Sequence, residues 1–324
     1  LLIPTLGAVL IWLFGRQKNI RETVTIITSV LLFSNVVQIL PAISNGERPE
    51  LLVLNVAPGL EVAFQVEPLG MLFALIASFL WIINSIYSIG YMRGNREPRQ
   101  TQFYVAFAVA LSATMGIAFS GNLYTLYIFY EVLTLSTYPL VAHHGNAKAR
   151  TGGRIYLIIL LGTSILFFIP AILWTSSLAG TLDFTPGGIL SGKADSITTG
   201  LLLALFAFGI GKAALMPFHK WLPNAMVAPT PVSALLHAVA VVKAGVFTIL
   251  KVSIYIFGSE HLLATGASEW LVYLATFSVL AASIIALTKD NLKARLAYST
   301  VSQLGYIVLG AAIATPLALI CLLY

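Results

Sequence analysis

Phe208-Gly-Ile-Gly-Lys212-Ala-Ala-Leu-Met-Pro217 sets a lysine inside an apolar run, Ile197–Trp221, long enough to cross a bilayer. Proline has no N–H to offer the carbonyl of Ala213, so the run predicts a helix that breaks or kinks just after the lysine. Gly209 and Gly211 admit a neighbouring helix at close range. A charge at the bilayer centre costs roughly 2.5–3.5 kcal/mol on insertion scales. Lys212 lies about 12 Å by helical rise from Lys220 at the end of the run, beyond snorkelling reach. A lysine beside carbonyls freed in a broken helix is a recurrent ion-site design.

Other charges share this isolation. Glu131 is the only charged residue in the forty positions from Phe103 to Ala142, near the middle of the run Asn122–Ala142, which also holds Pro139. A purely structural polar group has cheaper forms there, such as Gln or Ser. A carboxyl gains and loses a proton, as a relay requires. The run Pro231–Phe257 carries His237, Lys243 and Lys251. His237 and Lys243 stand about 9 Å apart along a helix axis and roughly 120° apart around it, so they share a path only if it bends past the helix. Histidine suits proton exchange near neutrality, and a lone intramembrane histidine also serves as a hydrogen-bonded core residue. Lys251 is close enough to the outer end to snorkel and reads as structural. Glu131, Lys212 and Lys243 together predict a path for protons or cations through the membrane.

Working outward, the whole chain reads as bilayer protein. It is 58% hydrophobic and 9% charged, with mean hydropathy +0.92, where soluble domains carry about 25% charged residues. Apolar runs predict ten spans: Leu1–Phe14, Val24–Ile43, Leu69–Tyr91, Gln102–Phe119, Asn122–Ala142, Arg154–Leu178, Ile197–Trp221, Pro231–Phe257, Trp270–Leu287 and Ala294–Ala314. An eleventh begins at Pro316–Tyr324. The chain opens in an apolar stretch without an initiator Met and stops inside another, so it reads as part of a longer protein.

Loop charges alternate. Odd connections are basic, as with Arg16, Lys18 and Arg21, or Arg93, Arg96 and Arg99; even ones are acidic or neutral, as with Glu47, Glu50, Glu61 and Glu67. The positive-inside rule then puts the odd loops in the cytoplasm and the N-terminus outside, and the expected location is a bacterial or archaeal inner membrane. In the long second connection, two alternating segments flank Pro58-Gly59 and predict a β-hairpin on the outer face.

Several function classes drop out. Cys321 is the single cysteine, which excludes intrachain disulfides and cysteine-ligated clusters. The net charge of +6 sits in short loops and does not argue for nucleic acid. No Walker loop is present, and no metal cluster is expected. His143-His144 falls in a cytoplasmic loop and reads as solvated rather than metal-binding.

From Gly211 to Ile249 the sequence runs Gly211-Lys-Ala-Ala-Leu-Met-Pro-Phe-His-Lys-Trp-Leu-Pro-Asn-Ala-Met-Val-Ala-Pro-Thr-Pro-Val-Ser-Ala-Leu-Leu-His and onward. With Asp290-Asn-Leu-Lys-Ala-Arg-Leu-Ala-Tyr-Ser-Thr-Val-Ser-Gln-Leu-Gly-Tyr, it resembles the proton-pumping antiporter-type membrane subunits. These occur in respiratory complex I, membrane-bound hydrogenases and multisubunit Mrp Na⁺/H⁺ antiporters. The likeness covers about Gln102 to Gly310. Val242-Lys243-Ala244-Gly245 leans toward the Mrp-type or hydrogenase-type relatives.

The resemblance implies an all-α polytopic fold of inverted five-helix repeats, each with a broken helix, here near Pro217. It implies three N-terminal spans with the outer hairpin (1–101), a first repeat (102–258) and the start of a second (259–324). Glu131 matches the glutamate that pairs with the broken-helix lysine, and Lys212 matches that lysine. His237 and Lys243 match positions that pass the proton onward; Lys293 falls in the second repeat with a weaker role. The implied function is proton or Na⁺/H⁺ translocation by a non-redox subunit. No cofactor is expected on this chain, with flavin, iron–sulfur or quinone left to partner subunits. Expected partners are other membrane subunits, lipid, H⁺ and Na⁺. The alternatives are a quinone-interacting subunit of an oxidoreductase, or a self-contained cation or solute carrier.

Overall fold

The computed structural model describes residues 1–57, 59–315 and 317–318 of the 324-residue chain. Pro58 of the hairpin turn, Cys321 and nearly all of the expected eleventh span lie outside the described residues.

The elements run α1 (Leu2–Leu13), α2 (Lys18–Ser44), β1 (Glu50–Ala57), β2 (Leu60–Gln65), α3 (Pro68–Gly94), α4 (Gln100–Ala118), α5 (Leu123–Val141), α6 (Ala147–Thr163), α7 (Ile169–Ala179), α8 (Ser196–Gly209), α9 (Trp221–Ala225), α10 (Thr230–Ala234), α11 (Val241–Lys251), α12 (Ser259–Thr265), α13 (Glu269–Leu287) and α14 (Leu292–Ile313). Helical segments stand where the ten apolar runs lie. Seven stretches are long and apolar enough to cross a membrane: Lys18–Ser44, Pro68–Gly94, Gln100–Ala118, Ala147–Ala179, Thr230–Phe257, Glu269–Leu287 and Leu292–Ile313. α1 and α8 are shorter apolar helices, and α5 carries Glu131 at its middle.

α4 is buried on nearly every face, its many alanines letting neighbours close around it. The outward faces of α1, α2 and α13 keep large apolar side chains such as Leu2, Ile27, Tyr273 and Leu287 exposed, as a lipid-facing surface requires. Two helices begin earlier than the apolar runs suggest. α2 starts at Lys18 rather than Val24, carrying Arg21 and Glu22 into the bundle, where both are buried. α6 starts at Ala147 rather than Arg154, because the Asn146 side chain accepts a hydrogen bond from the Ala149 N–H and caps it.

β1 and β2 pair antiparallel as the expected hairpin. β2 is tied to the α4–α5 turn: Gln65 N–H donates to Phe119 O at 2.8 Å and Gly121 N–H to Ala63 O at 2.9 Å.

The span Ile197–Trp221 breaks earlier than its proline alone predicts. α8 ends at Gly209, so the break comes before rather than after Lys212, which sits on a 3₁₀ turn, Gly211–Ala213. Ala214 follows with φ 54°, and a second 3₁₀ turn, Phe218–Lys220, leads into α9. The cause is packing on both sides. A Cβ at Gly209 would collide with the Phe168 backbone, and one at Gly211 with Thr163; on the other face, a Cβ at Gly245 would collide with the backbone of Lys212 and Ala213. Three glycines thus let α11 and the α6–α7 helix grip the broken segment from opposite sides. Both of those helices contain π turns: Ser164–Phe168 between α6 and α7, Leu235–Val239 and Val252–Phe257 flanking α11. Such turns gather at functional sites because the wider ring loosens the hydrogen-bond ladder.

Candidate functional site: a buried lysine at a helix break

Lys212 is fully buried. Its ammonium donates to the Tyr130 carbonyl at 2.8 Å and the Thr134 hydroxyl at 2.5 Å, and lies 3.1 Å from the Tyr130 ring centroid. Thr134 donates in turn to the same carbonyl at 3.2 Å, leaving its lone pairs for the lysine. The Lys212 backbone N–H donates to the Tyr130 hydroxyl at 3.1 Å. Tyr130, Thr134 and Thr137 share one stripe of α5, at i, i+4 and i+7. Thr137 shares a 2.6 Å hydrogen bond with the Tyr156 hydroxyl. The Tyr156 ring meets Trp221 edge-on at 5.6 Å, and Trp221 Nε1 donates at 2.9 Å to the carbonyl of Gly211, which also accepts the Ala214 N–H. The break is therefore tied to α5 by hydroxyls and a ring face, all of them neutral.

Glu131 does not touch the lysine. Both its carboxylate oxygens are buried without a hydrogen-bond partner, and it takes part in none of the ion pairs among the described residues. The expected direct Glu131–Lys212 pair is corrected accordingly. Successive residues on a helix are rotated by about 100°. Glu131 therefore leaves α5 about a quarter turn around from the Tyr130 stripe, and it stays beyond ion-pair distance of Lys212.

His237 lies in the π turn before α11; its Nδ1 is 3.1 Å from the Thr300 hydroxyl of α14, while Nε2 is buried without a partner. Lys243 is half-buried on α11, two residues before Gly245, and forms no ion pair among the described residues. Lys293 bonds the Ala228 carbonyl at 3.0 Å, joining α14 to the loop after α9. Among the described residues, none of the predicted site residues bonds or ion-pairs with another; Lys212 meets Tyr130 and Thr134 instead.

Lys251 departs most from expectation. It does not snorkel: it is fully buried, 3.4 Å from Glu67, and donates to the Ser120 carbonyl at 2.5 Å. Its ammonium also lies 4.3 Å from the Phe184 ring centroid. Glu67, counted in the sequence as a loop charge, is 1% exposed and sits at the start of α3. Its place directly before Pro68, which opens the helix, is the signal that could have found it. The His143-His144 loop is likewise not simply solvated. His143 is buried, and burial, with Arg99 and His144 adding repulsion, pushes it from 6.5 down to about 4. It is neutral at pH 7, so its 3.7 Å approach to Glu97 is not an ion pair.

Among the described residues, no group of three or more His, Cys, Asp or Glu is placed to hold a metal ion. Residues 120–324 match the family described as NADH:quinone oxidoreductase/Mrp antiporter, transmembrane, and residues 56–104 match the N-terminus of complex I chain 5. The chain belongs to the NADH:quinone oxidoreductase/Mrp antiporter family. A probable K⁺/H⁺ antiporter subunit of Rhizobium meliloti is 32% identical over 82% of this chain and 26% of that relative. The NAD(P)H-quinone oxidoreductase chain 5 of Synechocystis is 30% identical over 78% of this chain and 37% of its own length. The solved Mrp complex from Dietzia superposes with a TM-score of 0.80 at 25% identity, over 99% of this chain and 35% of the matched chain. The chain thus spans well under half the length of these relatives. It is a multi-pass membrane protein with the helical architecture of the antiporter subunits.

Proposed function

We propose that this chain moves protons across a membrane as one subunit of a larger assembly, with Lys212 as the site where the proton is held and released. The observation that carries the reading is the buried ammonium at the break, bonded only to neutral oxygens, with the Glu131 carboxylate buried nearby and free of hydrogen bonds. Neither group is locked in a structural ion pair, so each can change charge without breaking one. Glu131 acts on Lys212 through space: two unit charges interact by about 4 kcal/mol at 4 Å for an effective dielectric near 20, and less at greater distance. Water carries the proton from Lys212 past His237 and Lys243 toward a second half-channel.

In this reading 1–101 forms three scaffold spans, 102–258 the first repeat and 259–324 the start of the second. The odd loops face the cytoplasm of a bacterial or archaeal cell, with the N-terminus outside. Among the relatives' names are those of a K⁺/H⁺ antiporter and a quinone oxidoreductase. They support coupling of the proton either to a counter-cation such as Na⁺ or K⁺ or to redox chemistry in partner subunits. Glu131→Gln in the full-length protein within its native assembly, reconstituted into vesicles with a pH-sensitive dye, tests the reading. Proton flux is expected to fall to the background of empty vesicles with the assembly intact. Unchanged flux in a normally assembled variant refutes it.

A further inference from the structure

Between the α1–α2 connection and the α3–α4 connection, where these four helices end or begin, lies a cavity of about 750 Å³. Lys18, Arg21, Arg93, Arg96 and Arg99 line it, against Glu97 as the single acidic lining residue. We infer that this cavity binds the phosphate headgroup of an anionic phospholipid.

Its floor is built rather than incidental. Arg21 is 3% exposed and fixed by Gln100 Oε1 at 2.8 Å, the Thr101 hydroxyl at 3.2 Å and Glu22 at 3.1 Å. Its Nε is buried, carries a proton and has no acceptor. Arg93 is held by its Nε on Glu22 at 3.1 Å and by Asn19 at 2.6 Å. Glu22 therefore serves two arginines at once and leaves one positive charge uncompensated. Among the described residues, Arg99 bonds only to the carbonyl of His143, which supplies no neutralising charge. Lys18 and Arg96 are exposed and pair with no carboxylate among the described residues. Arg96 and Arg99 adopt φ of 50° and 52°, a backbone region uncommon for side chains of this kind.

A cavity so charged calls for an anion, and arginine forks match phosphate oxygens in pairs. A lipid fits better than a soluble phosphate compound. The helices that meet at the cavity carry exposed apolar side chains: Leu13 and Phe14 where α1 ends, Ile83 and Ile86 along α3 before Arg93. They give acyl chains a surface on the same helices that carry the basic residues. No aromatic ring lines the cavity among the described residues, so nothing there would stack on a nucleotide base. Basic pockets between membrane helices at this level are suited to phospholipid headgroups.

The test uses the full-length protein in its native assembly, in vesicles of phosphatidylcholine containing a trace of spin-labelled phosphatidylglycerol or spin-labelled phosphatidylcholine. Wild type is expected to retain the glycerol lipid about ten-fold over the choline lipid. The Lys18→Gln/Arg96→Gln double variant alters side chains without protein ion pairs, and should cut that preference at least three-fold with assembly unchanged. Millimolar inorganic phosphate should not displace the lipid. Equal retention of the two lipids by wild type overturns the inference, as does an unchanged preference in the assembled variant. Displacement by inorganic phosphate, or a cavity filled by an acidic segment of a neighbouring protein in the purified assembly, assigns the site to another occupant and also overturns it. If the double variant fails to assemble, the wild-type lipid ratio and phosphate competition still decide.

Discussion

Two lysines, Lys212 and Lys251, are both fully buried in the bundle, yet their surroundings are opposite. Lys251 faces a carboxylate, Glu67, and a backbone carbonyl that binds α3 and the α4–α5 turn together. Lys212 meets a carbonyl, a hydroxyl and a ring face, and the carboxylate beside its partner residue stays out of contact. A buried ion pair fixes charge, since removing either partner leaves the other uncompensated. A buried ammonium on neutral oxygens loses only hydrogen bonds when its charge changes. The first arrangement suits a joint in the scaffold and the second a proton carrier.

That contrast is most sharply broken by removing each lysine. Lys251→Met leaves Glu67 buried and unpaired and should cost about 3–5 kcal/mol, seen as loss of folded protein from the membrane or a large fall in detergent unfolding temperature. Lys251→Met with Glu67→Gln should recover much of that loss. If Lys212→Met destabilises as strongly as Lys251→Met, the division between scaffold and carrier fails.

Thr134→Val sharpens the Lys212 side. It deletes the hydroxyl 2.5 Å from the ammonium and should weaken the bundle by about 1–3 kcal/mol, the cost of leaving a buried charged donor short of one acceptor. Flux should fall in part, with the protein still assembled. Full flux with unchanged stability would mean the hydroxyl does not hold the lysine.

A smaller effect belongs to a buried titratable group away from both lysines. His143 has a folded pKa of about 4 against an ordinary 6.5, so between those values the folded protein binds fewer protons than the unfolded chain. The neutral ring's contribution to stability is complete above about pH 6.5, declines as the pH falls toward 4 and declines no further below it. His143→Phe should flatten that part of the stability–pH curve measured by thermal unfolding; an unaltered slope contradicts the assignment.

The fold was largely readable because charge is scarce in it. Glu131 and Lys212 stood out against apolar runs, and the loop charges organised the spans without reference to any contact. What escaped depends on contacts between distant segments. Pro217 announced a break, but its place before Lys212 follows from Gly209 against Phe168 and Gly245 against Ala213. Glu131 was visible as a charge, while the face it occupies is set by where the break docks on α5. Glu67 and Glu22 looked like loop carboxylates because apolar runs mark where hydrophobicity begins, not where a helix begins. Their lysine and arginine partners lie on other helices.

The central claim is that Lys212 works by changing charge. Lys212→Arg keeps a cation in the buried site but cannot release its proton in the working pH range. In the full-length protein, purified in its native assembly and reconstituted into vesicles, the account predicts normal assembly and proton flux at the background of empty vesicles. Wild-type flux through assembled Lys212→Arg would show that the site needs a positive charge and not a proton that comes and goes, and would contradict the account.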